Sequence, residues 1–163
     1  MNYSSRLIAV VLLVCSVGNA SAQRAKEIEG AWVLVSSINE MDGRKTDQFG
    51  PHPNGMLIFG ADGHFMLTII GAGLPRFASN NRANGTPEEN KEVVSRSIAM
   101  MGSYIVNADA NTLTFRTENA TFPNWDGTEQ KRSIVTLNTE ELKYITASAS
   151  GGGVGTVTWK RAH

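Results

Sequence analysis

The chain has 163 residues, and its 15 Lys and Arg balance its 15 Asp and Glu, so the formal net charge is zero. This length suits one domain with a single core. A balanced charge provides no electrostatic attraction to nucleic acid or to an anionic membrane surface, so we expect neither partner. Composition leaves the oligomeric state open.

The amino terminus has the pattern of a secretory signal peptide. A basic residue precedes an apolar run over residues 7–14, which is too short to span a bilayer. An Ala-x-Ala cleavage pattern then ends at Ala22. We predict that residues 1–22 are a signal peptide and that residues 23–163 form one secreted or periplasmic domain, with no membrane insertion after cleavage. Cys15 lies in the removed segment, so we expect a domain without disulfides.

Short runs of β-branched and aromatic residues recur along the rest of the chain, separated by Gly, Asn, Asp and Pro. This spacing is typical of an all-β barrel or sandwich. We predict nine strands, over residues 31–39, 44–48, 56–59, 64–70, 104–106, 113–118, 130–137, 141–147 and 154–160. A tight hairpin turn is expected at Asp42-Gly43, because Gly tolerates a positive φ there.

One helix is predicted between the fourth and fifth strands. Residues 71–84 are rich in Gly, Asn and Arg without periodicity, which favours a loop. Residues 86–89 then form a capping-box pattern with Pro87 at the first helical position. Apolar spacing over residues 93–101 predicts a helix of roughly four turns. We place it across one mouth of the barrel, with its valines and Ile98 facing the barrel.

Five short motifs follow one another in an informative order. They are a Gly-x-Trp, a Phe-Gly-x-x-Pro-x-Gly-x-Leu, a loop-to-helix joint, a Phe-Pro-Asn-Trp-x-Gly-Thr-Glu-Gln and a closing Trp-Lys-Arg, at residues 30–32, 49–57, 76–89, 122–130 and 159–161. In this order the motifs resemble the bacterial and fungal lipocalin-like domain family. The resemblance implies a single antiparallel lipocalin-like β-barrel of eight to nine strands with one inserted α-helix, and not a true lipocalin. Two positions depart from the family pattern: Phe59, where Tyr is common, and Asp126, where an apolar residue is common.

The resemblance also implies a role for two residues far apart in sequence. By analogy with lipocalins, Trp32 closes the barrel floor and Arg161 stacks on its indole. A guanidinium over an indole face contributes about 0.5 to 2 kcal/mol. The alternative is that Trp32 is an ordinary core residue and Arg161 is frayed. Both interpretations are structural.

A barrel of this size holds either its own side chains or one small ligand. Our first hypothesis is an exported barrel that binds a small hydrophobic molecule. The candidate ligand-binding residues are large apolar groups and polar groups on otherwise apolar strand faces, namely Trp32, Leu34, Ser36, Met56, Ile58, Tyr104, Arg116, Trp125 and Tyr144. Alternation assigns faces within a strand and does not show which face points inward.

The segment 122–130 has two interpretations. Pro123 cannot lie in a central strand, and Gly127 indicates a turn. Trp125 would be costly to expose unless it packs or contacts a ligand. The segment is therefore either a structural corner or part of a ligand site.

Two further functions stay open. An enzyme, such as a cyclase or isomerase, would use the same pocket, with Glu129, Arg116 and Tyr104 as candidate catalytic residues. A structural or interaction protein would instead have a filled barrel, so a void of several hundred Å³ would favour the ligand-binding or enzymatic functions. No histidine spacing resembles a metal site and no nucleophile motif is present, so no metal and no cofactor are predicted. Asn119 begins a glycosylation sequon, which has meaning only in a eukaryotic host.

Overall fold

The computed structural model describes residues 23–24 and 26–163, and the predicted signal peptide lies outside these residues. The main elements in chain order are β1 (Gly30–Met41), β2 (Arg44–Asp47), β3 (Asn54–Phe59), β4 (His64–Ile70), α1 (Pro87–Ser95), β5 (Ser97–Asn107), β6 (Thr112–Ala120), β7 (Glu129–Leu137), β8 (Glu141–Thr146) and β9 (Val154–Arg161). None of the helices in the described part of the chain is long and apolar enough to cross a membrane.

The strands form one closed antiparallel barrel. Each strand from β3 to β9 pairs with its neighbour in sequence, β3 also pairs with β1, and β9 returns to pair with β1. Eight strands therefore close the barrel, and β2 pairs with the last residues of β1 as an extra strand. Positive φ angles of 52° at Asp42 and 75° at Gly43 form the predicted turn between β1 and β2. The predicted all-β barrel with nine strands is confirmed.

One end of the barrel is packed with large apolar side chains. We call it the closed end; it lies where β1, β4, β6 and β8 begin. Its largest fully buried side chains are Trp32, Trp159, Phe59, Phe115, Ile28, Leu57, Leu113 and Leu142. The rings of Phe59 and Phe65 lie 6.0 and 4.5 Å from that of Phe115, measured between centroids. The opposite end, the open end, has small inward-facing residues such as Ser37 and Gly155.

Trp32 and Arg161 join the two ends of the sheet at the closed end. The guanidinium carbon of Arg161 lies 4.1 Å from the centre of the Trp32 ring. Arg161 Nη1 also donates to the Glu29 carbonyl at 2.7 Å, while Trp32 Nε1 donates to the Ile28 carbonyl at 2.8 Å. Gly30 has a φ of +105°, and a Cβ there would lie 3.2 Å from Arg161 Nη1. The predicted stacking of Arg161 on Trp32 is confirmed.

The helix is shorter than predicted. Its capping box is present, since Thr86 Oγ1 accepts from Glu89 N at 3.2 Å and Glu89 Oε2 accepts from Thr86 N at 2.8 Å. However, α1 spans nine residues, ends at Ser95 and contains no buried residue. Ile98 instead pairs with Ile69 in β4 as part of β5. The spacing of three between Ile98 and Met101 fits a helix, but Ile98 and Met100 share one face of a strand, and the available ladder along β4 favours the strand.

Replacing Trp32 by Ala is expected to lower the free energy of unfolding by about 3 to 5 kcal/mol, because a fully buried aromatic side chain is lost. Denaturant unfolding measures the change. Val35→Ala is the control, since Val35 lies on the outer face of the same strand and is 56% exposed; its effect should stay within about 0.5 kcal/mol. A loss below about 1 kcal/mol at Trp32 would contradict its role in closing the barrel.

Replacing Arg161 by Lys is expected to destabilise the barrel by about 1 to 3 kcal/mol, even though the charge is kept. A lysine cannot reproduce the guanidinium fork that bonds the Glu29 and Thr139 carbonyls while stacking on Trp32. Thermal and denaturant unfolding provide the measurement, with the exposed neighbour Lys160→Ala as control. Equal stability of Arg161→Lys and the parent protein would show that charge alone suffices.

Candidate functional site

The open half of the barrel contains a cavity of about 450 Å³. Such a volume lies in the range of roughly 300 to 1,000 Å³ that is typical of small-molecule sites. Its apolar wall is formed by Phe49, Leu67, Ile69, Ile98, Met100, Trp125 and Val157, and polar residues such as Ser37, Gln48, Thr146, Ser148 and Ser150 line the rest. The barrel is therefore packed at one end and hollow at the other, which favours a ligand-binding or enzymatic interior over a filled one.

Three of the polar lining residues form a cluster around a buried arginine. We define it as Gln130 and Arg132 of β7 with Tyr144 of β8, all of which line the cavity. Arg132 Nη2 donates to Gln130 Oε1 at 2.5 Å, and Gln130 Nε2 in turn donates to Thr117 Oγ1 at 3.5 Å. Arg132, Gln130 and Thr117 are thus joined by hydrogen bonds on the inner face of β6 and β7, and Tyr144 lies on the neighbouring strand β8.

Arg132 is a buried cation without a carboxylate partner. Its exposed fraction is 8%, and none of the ion pairs among the described residues includes it. Its second hydrogen bond goes from Nη1 to the Lys131 carbonyl at 3.2 Å, and its Cζ lies 5.7 Å from the Phe115 ring centre. Burial lowers the pKa of the guanidinium, yet an arginine keeps its proton in proteins. A full positive charge therefore borders the cavity.

Tyr144 contributes the one hydroxyl group of the cluster. Burial raises its pKa, and the nearby Arg132 charge opposes that rise. Its ring packs edge to face with Phe115, the centroids lying 6.3 Å apart. The indole N–H of Trp159 is buried beside the Tyr144 hydroxyl without forming a hydrogen bond of normal geometry. Tyr144 therefore stays protonated at neutral pH and can donate a hydrogen bond.

A second cavity of about 470 Å³ adjoins the first on the side of α1. We call it the vestibule. Its lining includes Val93 and Val94 of α1 and Phe122. The residues shared by both cavities are Gln48, Phe49, Ile98, Trp125 and Ser150. These shared residues mark the passage between the vestibule and the barrel interior.

Trp125 is held at this passage by a bonded corner between β6 and β7. Residues Pro123–Trp125 form a single 3-10 turn, and Asp126 Oδ1 accepts from Ala120 N at 2.8 Å. Thr128 Oγ1 donates to the Trp125 carbonyl at 2.7 Å, and the Phe122 ring packs edge to face on the indole at 5.6 Å. The segment is thus a structural corner that also presents an indole to both cavities. Asp126 has a clear role at the position where an apolar residue is common.

The structure brings two of the predicted ligand-binding residues, Trp125 and Tyr144, to the cavity. Trp32 and Leu34 are buried in the core outside its lining. A register shift between Leu34 and Ser36 pairs Ser36 with Thr158 and brings the next residue, Ser37, into the cavity instead.

Met56 and Ile58 lie on the outer face of β3, where they are 45% and 41% exposed, so they do not line the cavity. Ile58 pairs in register with Met66, which pairs with Met101. These side chains form an apolar patch on the outside of the barrel, which we call the outer patch.

Of the three candidate catalytic residues, the structure brings together Arg116 and Glu129 but not Tyr104. Arg116 and Glu129 lie opposite each other in register, and Arg116 Nε donates to Glu129 Oε1 at 2.7 Å with both side chains 53% exposed. Arg116 points outward because its neighbours in β6, Phe115 and Thr117, point inward. The Tyr104 hydroxyl donates to the Gly60 carbonyl at 3.0 Å, and burial raises its pKa.

Sequence reasoning missed Arg132 as a site residue, and the alternation of β7 does not reveal it. Residues 130, 132 and 134 share one face, which includes Ile134. Residues 129, 131, 133 and 135 share the other face, which includes Val135. Alternation therefore groups Gln130, Arg132 and Ile134 but does not decide that their face points inward.

The closed barrel with an internal cavity defines a lipocalin-like architecture. The family model described as "Lipocalin-like domain" matches residues 29–162, so the chain belongs to this family. Comparison with curated proteins finds no match. Among solved structures, the chain is similar to a de novo designed fluorescence-activating β-barrel. The identity is 12% and the TM-score is 0.45, with 85% of this chain and 96% of the designed chain covered.

Proposed function

We propose that this protein binds a small, mainly apolar molecule in the cavity of the open half of the barrel. The observation that carries the proposal is the void of about 450 Å³ beside a fully packed closed end. Protein interiors are normally packed to high density, so a cavity of this size inside the barrel is a departure from ordinary packing. An apolar wall with a few converging polar groups is the usual composition of a ligand pocket.

The vestibule provides the route to this cavity. A ligand that enters between α1 and the corner at residues 122–128 meets Trp125, Phe49 and Ile98 before it reaches the interior. Trp125 is half-buried and contacts the space on both sides. We therefore assign to Trp125 the largest single contact with the apolar part of the ligand.

Trp125→Ala is expected to weaken binding of the neutral dye N-phenylnaphthylamine about tenfold, since truncating an aromatic anchor costs more than about 1 kcal/mol. Fluorescence titration measures the affinity, and circular dichroism checks that the barrel remains folded. The dye is uncharged, so its binding reports the apolar cavity alone.

The matched control for this experiment is Met66→Ala. Met66 belongs to the outer patch and is 56% exposed, so it tests whether the dye binds outside the barrel. Unchanged binding to Met66→Ala together with weaker binding to Trp125→Ala supports the proposal. The reverse pattern, or no dye binding to the parent protein, would refute it.

We also propose that the protein is exported. The support is the sequence pattern of residues 1–22, and the folded domain matched by the family model begins after that segment, at residue 29. Cleavage would give a secreted or periplasmic domain that begins at Gln23.

Intact mass spectrometry of protein recovered from the periplasm or the medium tests the proposed cleavage. The expected mass is that of residues 23–163. A recovered protein that retains Cys15 would contradict the proposal, and so would failure to recover any protein outside the cytoplasm.

A further inference from the structure

The barrel interior contains a positive charge that the described residues do not neutralise. Arg132 is 8% exposed, lines the cavity and has no Asp or Glu within ion-pair distance among residues 23–24 and 26–163. A guanidinium has five N–H donors, and two of them are used, by Gln130 Oε1 and the Lys131 carbonyl. The remaining donors have no acceptor in the described part of the chain. A buried charge without a counter-ion costs several kcal/mol.

We propose that Arg132 binds the carboxylate of an amphipathic ligand at the inner end of the cavity; this inference rests on the proposed function and names the class of ligand. The carboxylate would accept from the free guanidinium donors, and its apolar chain would extend past Ile98 toward Trp125 and the vestibule. Arginine suits a planar carboxylate because its fork can donate two parallel hydrogen bonds.

The charges around the site favour a single negative charge on the ligand. Lys131 and Glu129 also border the cavity, but Lys131 is exposed and the Glu129 carboxylate is held by Arg116 at 2.7 Å. Arg132 is therefore the one buried cation among the described residues that line the cavity. One guanidinium balances a carboxylate, whereas a phosphate dianion would keep an excess negative charge inside an apolar wall.

Tyr144 strengthens this assignment. Its ring is buried against Phe115, on the same side of the cavity as Arg132. Because burial raises the pKa of Tyr144, its hydroxyl keeps its proton and adds no negative charge beside the ligand. Gln130 Oε1 accepts from Arg132 Nη2 and so helps to fix the guanidinium. The cluster therefore presents a fixed cation to the cavity, with the neutral Tyr144 side chain in the wall beside it.

The first test compares decanoate with decanol on the unmodified protein at neutral pH, by calorimetric titration. The two ligands share one alkyl chain and differ in the charged head. Decanoate is expected to bind about tenfold to a hundredfold more tightly, because hydrogen bonds to charged groups contribute more than neutral ones. The comparison needs no variant, so it tests the proposal even if substitutions at position 132 impair folding.

The second test uses Arg132→Met, which removes the charge and keeps a long apolar side chain. Decanoate binding is expected to fall to the level of decanol, while decanol binding is retained. Lys160→Met is the control, because it removes a positive charge from an exposed residue of β9 that does not line the cavity. A loss of decanoate binding in Lys160→Met of the same size would show a general charge effect and overturn the proposal.

Stability provides a readout that separates binding from structure. If Arg132 binds a ligand and does not stabilise the ligand-free fold, Arg132→Met without ligand should unfold at the same denaturant concentration as the parent protein or at a higher one. The reason is that the substitution removes an uncompensated buried charge. Decanoate should then stabilise the parent and not the variant. A variant that is less stable than the parent, with equal decanoate affinity, would assign Arg132 to the structure and overturn the proposal.

The outcomes distinguish the two proposals. Equal binding of decanoate and decanol to the parent protein would overturn the carboxylate site and leave the apolar pocket standing. Failure of decanoate, decanol and N-phenylnaphthylamine to bind would overturn both. Tighter binding of decanoate that depends on Arg132 supports both.

Discussion

The contact between Trp32 and Arg161 is the interaction on which the barrel depends. Trp32 lies near the start of β1 and Arg161 ends β9, so their stacking joins the two strands that close the sheet. The same guanidinium also bonds the Glu29 carbonyl, which fixes the chain that leads into β1. A closed sheet leaves few unpaired backbone groups, and this contact reinforces the ladder between β1 and β9 at the end where the core is densest.

Packing at the closed end permits a void at the open end. Apolar burial is the main favourable contribution to folding, and here it is concentrated around Phe115 and the two buried tryptophans, Trp32 and Trp159. A cavity costs stability in proportion to its size, so it persists only where other parts of the domain compensate. The protein thus separates the two tasks along the barrel axis: the closed end stabilises the fold and the open end provides space.

Sequence alone predicted the series of strands, the hairpin at residues 42–43 and the capping box, because these depend on local chemistry. The helix length was wrong, since Ile98 and Met101 fit a helical spacing while Ile98 and Met100 fit a strand. The pairing with β4 that decides between the two is a tertiary effect. The inward face of each strand depends on tertiary structure in the same way. Alternation predicted which residues share a face, and the shift after Leu34 then exchanged Ser36 for Ser37 at the cavity.

Ser37 and Arg132 show what limits prediction of the site. Predicting that Ser37 lines the cavity requires the register of β1 against β9, which cannot be read from the sequence. Arg132 needs the choice of the inner face of β7, which Ile134 on one face and Val135 on the other leave open. An arginine is also rarely expected inside a barrel. A buried, unpaired charge breaks the usual rule that charged side chains stay at the surface. Proteins keep such exceptions mainly at functional sites. In this chain that charge stands at the boundary between the packed half and the hollow half, where the fold has both the rigidity to hold a cation and the space for an anion to reach it.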